Sequence, residues 1–76
     1  MHRRTGYRFS VRVTVNGESR ELDADLSVAE LLGSLRLSAG RIAVEINEEV
    51  VPRDAYGERC LAAGDRIEIV HFVGGG

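Results

Sequence analysis

Only one stretch of this 76-residue chain, SVAELLGSLRL beginning at Ser27, spaces its apolar residues as a helix does; the other periodic segments alternate. Val28, Leu31, Leu32 and Leu35 recur at intervals of three and four and form one apolar stripe. Ser27 can accept hydrogen bonds from the free N–H groups of the first turn, and Glu30, three residues on, completes a capping box. Gly33 costs about 1 kcal/mol against alanine inside a helix, a cost that close packing on a sheet would offset. Gly40 marks the end of the segment. A lone helix must bury its stripe, and the simplest surface to receive it is one face of a sheet.

The rest of the chain supplies that sheet. Phe9, Val11, Val13 and Val15 alternate with Ser10, Arg12 and Thr14, the period of a half-buried strand. Asn16-Gly17 follows, a strong hairpin signal because both residues tolerate positive φ, and the return strand runs from Ser19 to about Leu22. Ile42, Val44 and Ile46 alternate with Ala43, Glu45 and Asn47 in a second strand of the same kind. Asn47, Glu48 and Glu49 read as a turn. Val50 and Val51 are a short extended piece stopped by Pro52, which has no N–H for a ladder. RDAYGERCLAAGD is loop or a short helical turn, and Gly64-Asp65 turns the chain into a last strand, Arg66 to Val73. There Ile67 and Ile69 face one side while Val70 and Phe72 face the other, as in a central strand or one with a face awaiting a partner. The expected class is α+β: a mixed sheet of four to five strands with one main helix packed on one face, the β-grasp arrangement seen in ubiquitin. In it the first hairpin and the last strand sit mid-sheet, and the first and last strands are parallel. Residues 1–9 form an N-terminal extension, disordered or extending the first strand, residues 10–73 the domain, and residues 74–76 a flexible glycine tail.

Size and charge narrow the partners. A single small domain of this length buries only about 60% of its unfolded surface, so its core must be economical. With 43% hydrophobic and 29% charged residues the chain has the balance of a globular protein, not a disordered one. Residues 1–20 carry five arginines and one acid, whereas residues 21–76 carry five arginines against eleven acids, a body of net charge −6. Nucleic acid wants a basic face and is not expected as a partner; a basic protein is. No apolar run has the length of a membrane span, and no signal peptide is read at the N-terminus. Cys60 is the one cysteine. It excludes an internal disulfide, fits a reducing, cytoplasmic compartment, and reads as a small core hydrophobe more readily than as a sulfur trap. No cluster of ligating side chains suggests a metal site.

The chain ends in Val73, Gly74, Gly75 and Gly76 directly after the strand. Glycine has no Cβ, so such a tail is thin enough to thread a channel closed to any side chain. It ends in a carboxylate on the least hindered carbon a protein can offer. Attack of that carboxylate on the α-phosphate of ATP would give an acyl adenylate open to a sulfur nucleophile. The residues alone leave a second reading open, an inert terminal linker. No phosphate-binding loop is possible, because no helix follows the glycines.

Taken in order and at their spacings, VTVNGE, AVEINEEVVPR, AAGDRIEIV and HFVGGG resemble the sulfur carriers of thiamin biosynthesis, the ThiS family, over about residues 11–76. The resemblance implies a β-grasp carrier that is not itself an enzyme and binds no cofactor. Gly76 would be adenylated by an E1-like adenylyltransferase using ATP and magnesium. The adenylate would become a thiocarboxylate, with sulfur supplied through a cysteine desulfurase or rhodanese-type donor, and the sulfur would pass to thiazole synthase. Gly75 and Gly74 would thread the partner's channel. Val73, Phe72 and His71 would line its cleft, and Arg53 would meet a partner surface or stay solvated. A monomer is expected when free. Alternatives from neighbouring chemistry are a carrier for molybdopterin synthesis or another thiocarboxylate pathway, and a ubiquitin-like protein modifier. The nine or so residues at the start, MHRRTGYRF, have no counterpart in the family pattern. The chain also contains no lysine, so an activated tail finds no side-chain amine on its own surface.

Overall fold

The computed structural model describes residues 9–72. Their elements run β1 (Ser10–Val15), β2 (Glu18–Asp23), α1 (Val28–Ser34), β3 (Ile42–Ile46), β4 (Glu49–Val51) and β5 (Arg66–His71), with 3-10 turns at Ala39–Arg41 and Arg53–Ala55. The five strands form one sheet in the order β2-β1-β5-β3-β4. β1 and β5 are parallel; β1 with β2, β3 with β4 and β3 with β5 are antiparallel. This is the mixed, one-helix sheet expected from the alternating segments. One placement differs: β1 is interior, but β2 forms the sheet's edge, so the first hairpin is not wholly mid-sheet. Its sequence, ESRELD, lacks the inward apolar alternation of a covered strand, and its first four residues are exposed. Charged side chains along an edge discourage pairing with another chain.

The core lies between α1 and one sheet face. Val28, Leu31 and Leu32 pack with Val13, Val15, Ile42, Val44, Ile46, Val51, Ile67 and Ile69, closed at one end by Tyr56 and Leu61. Each strand contributes alternate residues, as the pleat requires. Phe9, at the head of the first alternating set, falls outside β1 and is 84% exposed; the strand begins one residue later, beyond the reach of the helix.

α1 begins as its sequence requires. The Ser27 hydroxyl accepts from the Glu30 N–H at 3.1 Å, and the Glu30 carboxylate accepts from the Ser27 N–H at 2.9 Å. The helix ends well before Gly40. Leu35 is the C-cap and Arg36 adopts φ 61°. The Arg36 N–H donates to the Gly33 carbonyl and the Leu37 N–H to the Leu32 carbonyl, a Schellman closure that more often uses glycine. Gly33 does not pack on the sheet: it is exposed, and a Cβ there would meet nothing within 4 Å.

The hairpins are built alike. Asn16 and Gly17 take φ 51° and 85°, and Asn47 and Glu48 take φ 54° and 71°. Two successive positive-φ residues make the turn whose twist matches antiparallel strands. The second turn is therefore Asn47-Glu48, and Glu49 belongs to β4 instead.

Because the space beside Gly33 is open, Gly33→Ala should stabilise the domain by about 0.5–1 kcal/mol, seen as a raised urea midpoint with an unchanged slope.

Candidate functional site

β5 is the strand from which the glycine tail departs, and it is held on both sides. Toward β3 the register runs Ile46↔Ile67, Glu45↔Glu68, Val44↔Ile69, Ala43↔Val70 and Ile42↔His71. One further hydrogen bond, from the Phe72 N–H to the Arg41 carbonyl at 2.9 Å, carries this pairing to the last described residue. Toward β1 the pairing is short, Thr14↔Arg66 and Val15↔Ile67, because the chain turns away at Asn16. The Asn16 side chain replaces the missing strand: its amide oxygen accepts from the Ile69 N–H at 2.7 Å and its amide nitrogen donates to the Ile69 carbonyl at 3.3 Å. Past Ile69, no strand among the described residues lies beside β5 on this side.

The start of β5 is pinned by a second asparagine and a buried acid. The Asn47 amide oxygen accepts from the Arg66 N–H at 3.0 Å, and its amide nitrogen donates to Asp65 at 3.0 Å. Asp65, only 5% exposed, also accepts from the Ala62 N–H at 2.9 Å and from Arg59 at 3.2 Å. Three donors therefore satisfy a carboxylate that would be costly to bury alone. Sequence reading treated Gly64-Asp65 as a plain turn. The signals available were an aspartate ahead of a strand and an asparagine opening each hairpin, but nothing in the sequence says that they meet at β5.

The predicted partner-facing residues divide. Phe72 is exposed, and it continues the face of Val70. His71 sits on the opposite face, in register with buried Ile42, and is exposed where the core ends. A cleft that closed around the emerging strand would touch both. Arg53 opens the turn after Pro52 and is exposed. Val51 is level with Val44 and hence Ile69, so the chain leaving β4 carries Arg53 toward the same end of the sheet as His71 and Phe72. Arg41 lies there too, bonded through its carbonyl to Phe72. Neither arginine has an ion pair among the described residues. Val73, Gly74, Gly75 and Gly76 lie outside the described residues.

Cys60 is not in the core. Its backbone bridges Ser27, with hydrogen bonds from the Val28 N–H to the Arg59 carbonyl and from the Leu61 N–H to the Leu26 carbonyl. Alternation along that extended piece turns Leu61 inward, 3% exposed, and leaves the Cys60 thiol outside, 3.8 Å from the Asp25 carbonyl. Among the described residues no group of His, Cys, Asp and Glu is arranged to hold a metal ion, and no helix is long and apolar enough to cross a membrane.

A β-grasp domain whose central strand runs directly into a terminal glycine run belongs to the class of small carriers and modifiers that act through their C-termini. The comparisons make the assignment specific. The ThiS family model matches residues 13–76, and the chain belongs to the ThiS family, the sulfur carriers of thiamin biosynthesis. It is 40% identical over 63 residues to the sulfur carrier protein ThiS of Bacillus subtilis, covering 82% of this chain and 96% of that one. The crystal structure of the thiamine biosynthesis protein ThiS from Geobacter metallireducens superimposes with a TM-score of 0.74 at 38% identity, covering 87% of this chain and all of that one. A thiazole synthase of Paramagnetospirillum magneticum is 41% identical over 66 residues, 87% of this chain. The match spans only 20% of that longer protein.

Because Asp65 ties Asn47, Ala62 and Arg59 together, Asp65→Ala should cost about 2–3 kcal/mol in urea unfolding.

Proposed function

We propose that this chain carries sulfur as a thiocarboxylate on Gly76 and delivers it for thiazole formation. The observation that carries the reading is the termination of a rigid, central, doubly held strand directly before Val-Gly-Gly-Gly, at an end of the sheet where nothing lies beside the strand on its β1 side. Strand β5 sets the direction of the tail, and the glycines let it enter a narrow active site. The Gly76 carboxylate attacks the α-phosphorus of ATP in an E1-like adenylyltransferase, with magnesium bound by that enzyme and pyrophosphate leaving. A sulfur nucleophile at the hydrosulfide oxidation level, drawn from a cysteine desulfurase or rhodanese-type donor, then displaces AMP and leaves the thiocarboxylate. The carrier contributes no acid, base or metal. It is a co-substrate of the adenylating enzyme and of thiazole synthase, not an enzyme.

Two features support this assignment of partners. The free side of β5 past Ile69 offers backbone groups to an added extended segment, a recognition mode that draws its affinity from main-chain hydrogen bonds. And thiazole synthases contain a stretch similar to this whole domain, which is the arrangement expected where carrier and acceptor enzyme work together. On this reading the carrier is a cytoplasmic monomer when free, and its exposed Cys60 stays reduced.

Incubating the protein with the adenylyltransferase, ATP and a sulfur source should yield an intact mass raised by the difference between sulfur and oxygen. Deletion of Gly76 should abolish the shift. If only the unmodified mass is found in the complete mixture, the carrier reading is wrong. Gly75→Val should leave the unfolding midpoint unchanged while reducing adenylation at least about a hundredfold, since a branched side chain must enter a channel shaped for glycine.

A further inference from the structure

The sheet face away from α1 is uncovered among the described residues, and its composition is specific. Across β4, β3 and β5, one row reads Val50, Glu45 and Glu68, since Glu45 is directly opposite both Val50 and Glu68. The next row is Ala43 opposite Val70, and Phe72 follows toward the tail. Val50, Val70 and Phe72 are 68%, 50% and 53% exposed. An apolar strip thus runs from β4 to the tail and is crossed by two carboxylates facing each other on adjacent strands. Directly opposed residues have Cβ atoms about 5 Å apart, and like charges in such a pair destabilise a sheet.

The domain offers these carboxylates no cation. Neither Glu45 nor Glu68 takes part in an ion pair or side-chain hydrogen bond among the described residues. The arginines of the same face are committed elsewhere. Arg66, two residues before Glu68, points to Glu48 at 3.6 Å. Arg12 lies 3.7 Å from Glu21 and donates to Ser19 at 3.1 Å. The Asn16 amide, beside β5, is occupied by the Ile69 backbone.

Resting on the function proposed above, we propose that this face is the docking surface for thiazole synthase, and that the Glu45–Glu68 pair receives an arginine or lysine which the synthase presents between apolar side chains. The strip is continuous with β5 and hence with the tail, so an enzyme that takes the tail into its active site meets this face at the same time. Charge complementarity sets the chemistry of the occupant: two unpaired carboxylates on an otherwise apolar strip call for a cation set within an apolar surface. The thiazole synthases that contain a similar domain identify which enzyme. Docking would relieve the repulsion that the free carrier sustains.

The test uses the full 76-residue protein and the thiazole synthase of the same organism, titrated calorimetrically at low and at raised salt. Glu45→Gln combined with Glu68→Gln should weaken binding at least about tenfold, flatten the salt dependence, and raise the unfolding midpoint by about 1–5 °C. Weaker binding by a more stable protein is an outcome that general loss of structure cannot produce. Val70→Ser should also weaken binding with the midpoint nearly unchanged. An unaltered affinity in the double variant overturns the proposal, as does a loss of affinity confined to the adenylyltransferase. If the wild-type protein acquires no thiocarboxylate in the complete mixture, the function reading itself has failed. If it does so while the double variant binds the synthase normally, only the docking face is wrong.

Discussion

Strand β5 has to be satisfied along both edges although neither neighbour runs its full length. β3 covers one edge through Phe72, but β1 ends at Val15. Every buried backbone group left without a partner would cost about 1–3 kcal/mol, a large share of what a domain this small can accumulate. Two asparagines resolve the conflict. Each opens a hairpin in the left-handed region and turns its side-chain amide onto β5, Asn16 at Ile69 and Asn47 at Arg66. The residue that allows the turn is also the residue that replaces the strand lost by turning. Because β5 is fixed at both levels, the direction in which the chain leaves the sheet is fixed too, and a carrier acting through its terminus depends on that direction.

How much of this the sequence discloses follows from the range of the interactions. The capping box at Ser27 and Glu30, the Asn-Gly turn and the alternating strands are set by neighbours a few residues apart, and each is found where local chemistry predicts it. The sheet's composition and the parallel pairing of first and last strands follow from having one helix to bury. Contacts between distant segments were not legible. Asp65 meets Asn47 across 18 residues, and Asn16 meets Ile69 across 53. Cys60 beside Leu61 looks internal until the bridge to Ser27 sets which of the two points inward. Gly33 looks like a packing device and proves to have open space around it. The helix stops at Ser34 because Leu37 folds back to bond Leu32, a closure that Arg36 tolerates without announcing it.

The site was legible in a different way. The glycine run and the motifs around it point to the family without reference to any fold, and the fold then separates the residues named with it. Phe72 joins the open face, His71 joins the end of the core face, and Arg53 reaches the same end of the sheet through the strand register. The Glu45–Glu68 pair was not visible as a unit, because opposition between two strands is a property of register alone.

The distribution of charge around the tail bears on how a small carrier can serve more than one enzyme. Arg41 and Arg53 flank the end from which the tail departs, while the adjoining open face carries an unrelieved acidic pair within an apolar strip. Exposed charges of this sort act mainly on encounter rate and orientation, and less on the lifetime of a complex. A carrier held by a large, dry interface would be slow to leave the enzyme that loads it. One oriented by a few charges, and committed only when its glycines enter an active site, can exchange between loading and unloading enzymes while still presenting the same strand to each. The repulsion left between Glu45 and Glu68 works in the same direction, because it favours a bound state without deepening the stability of the free one.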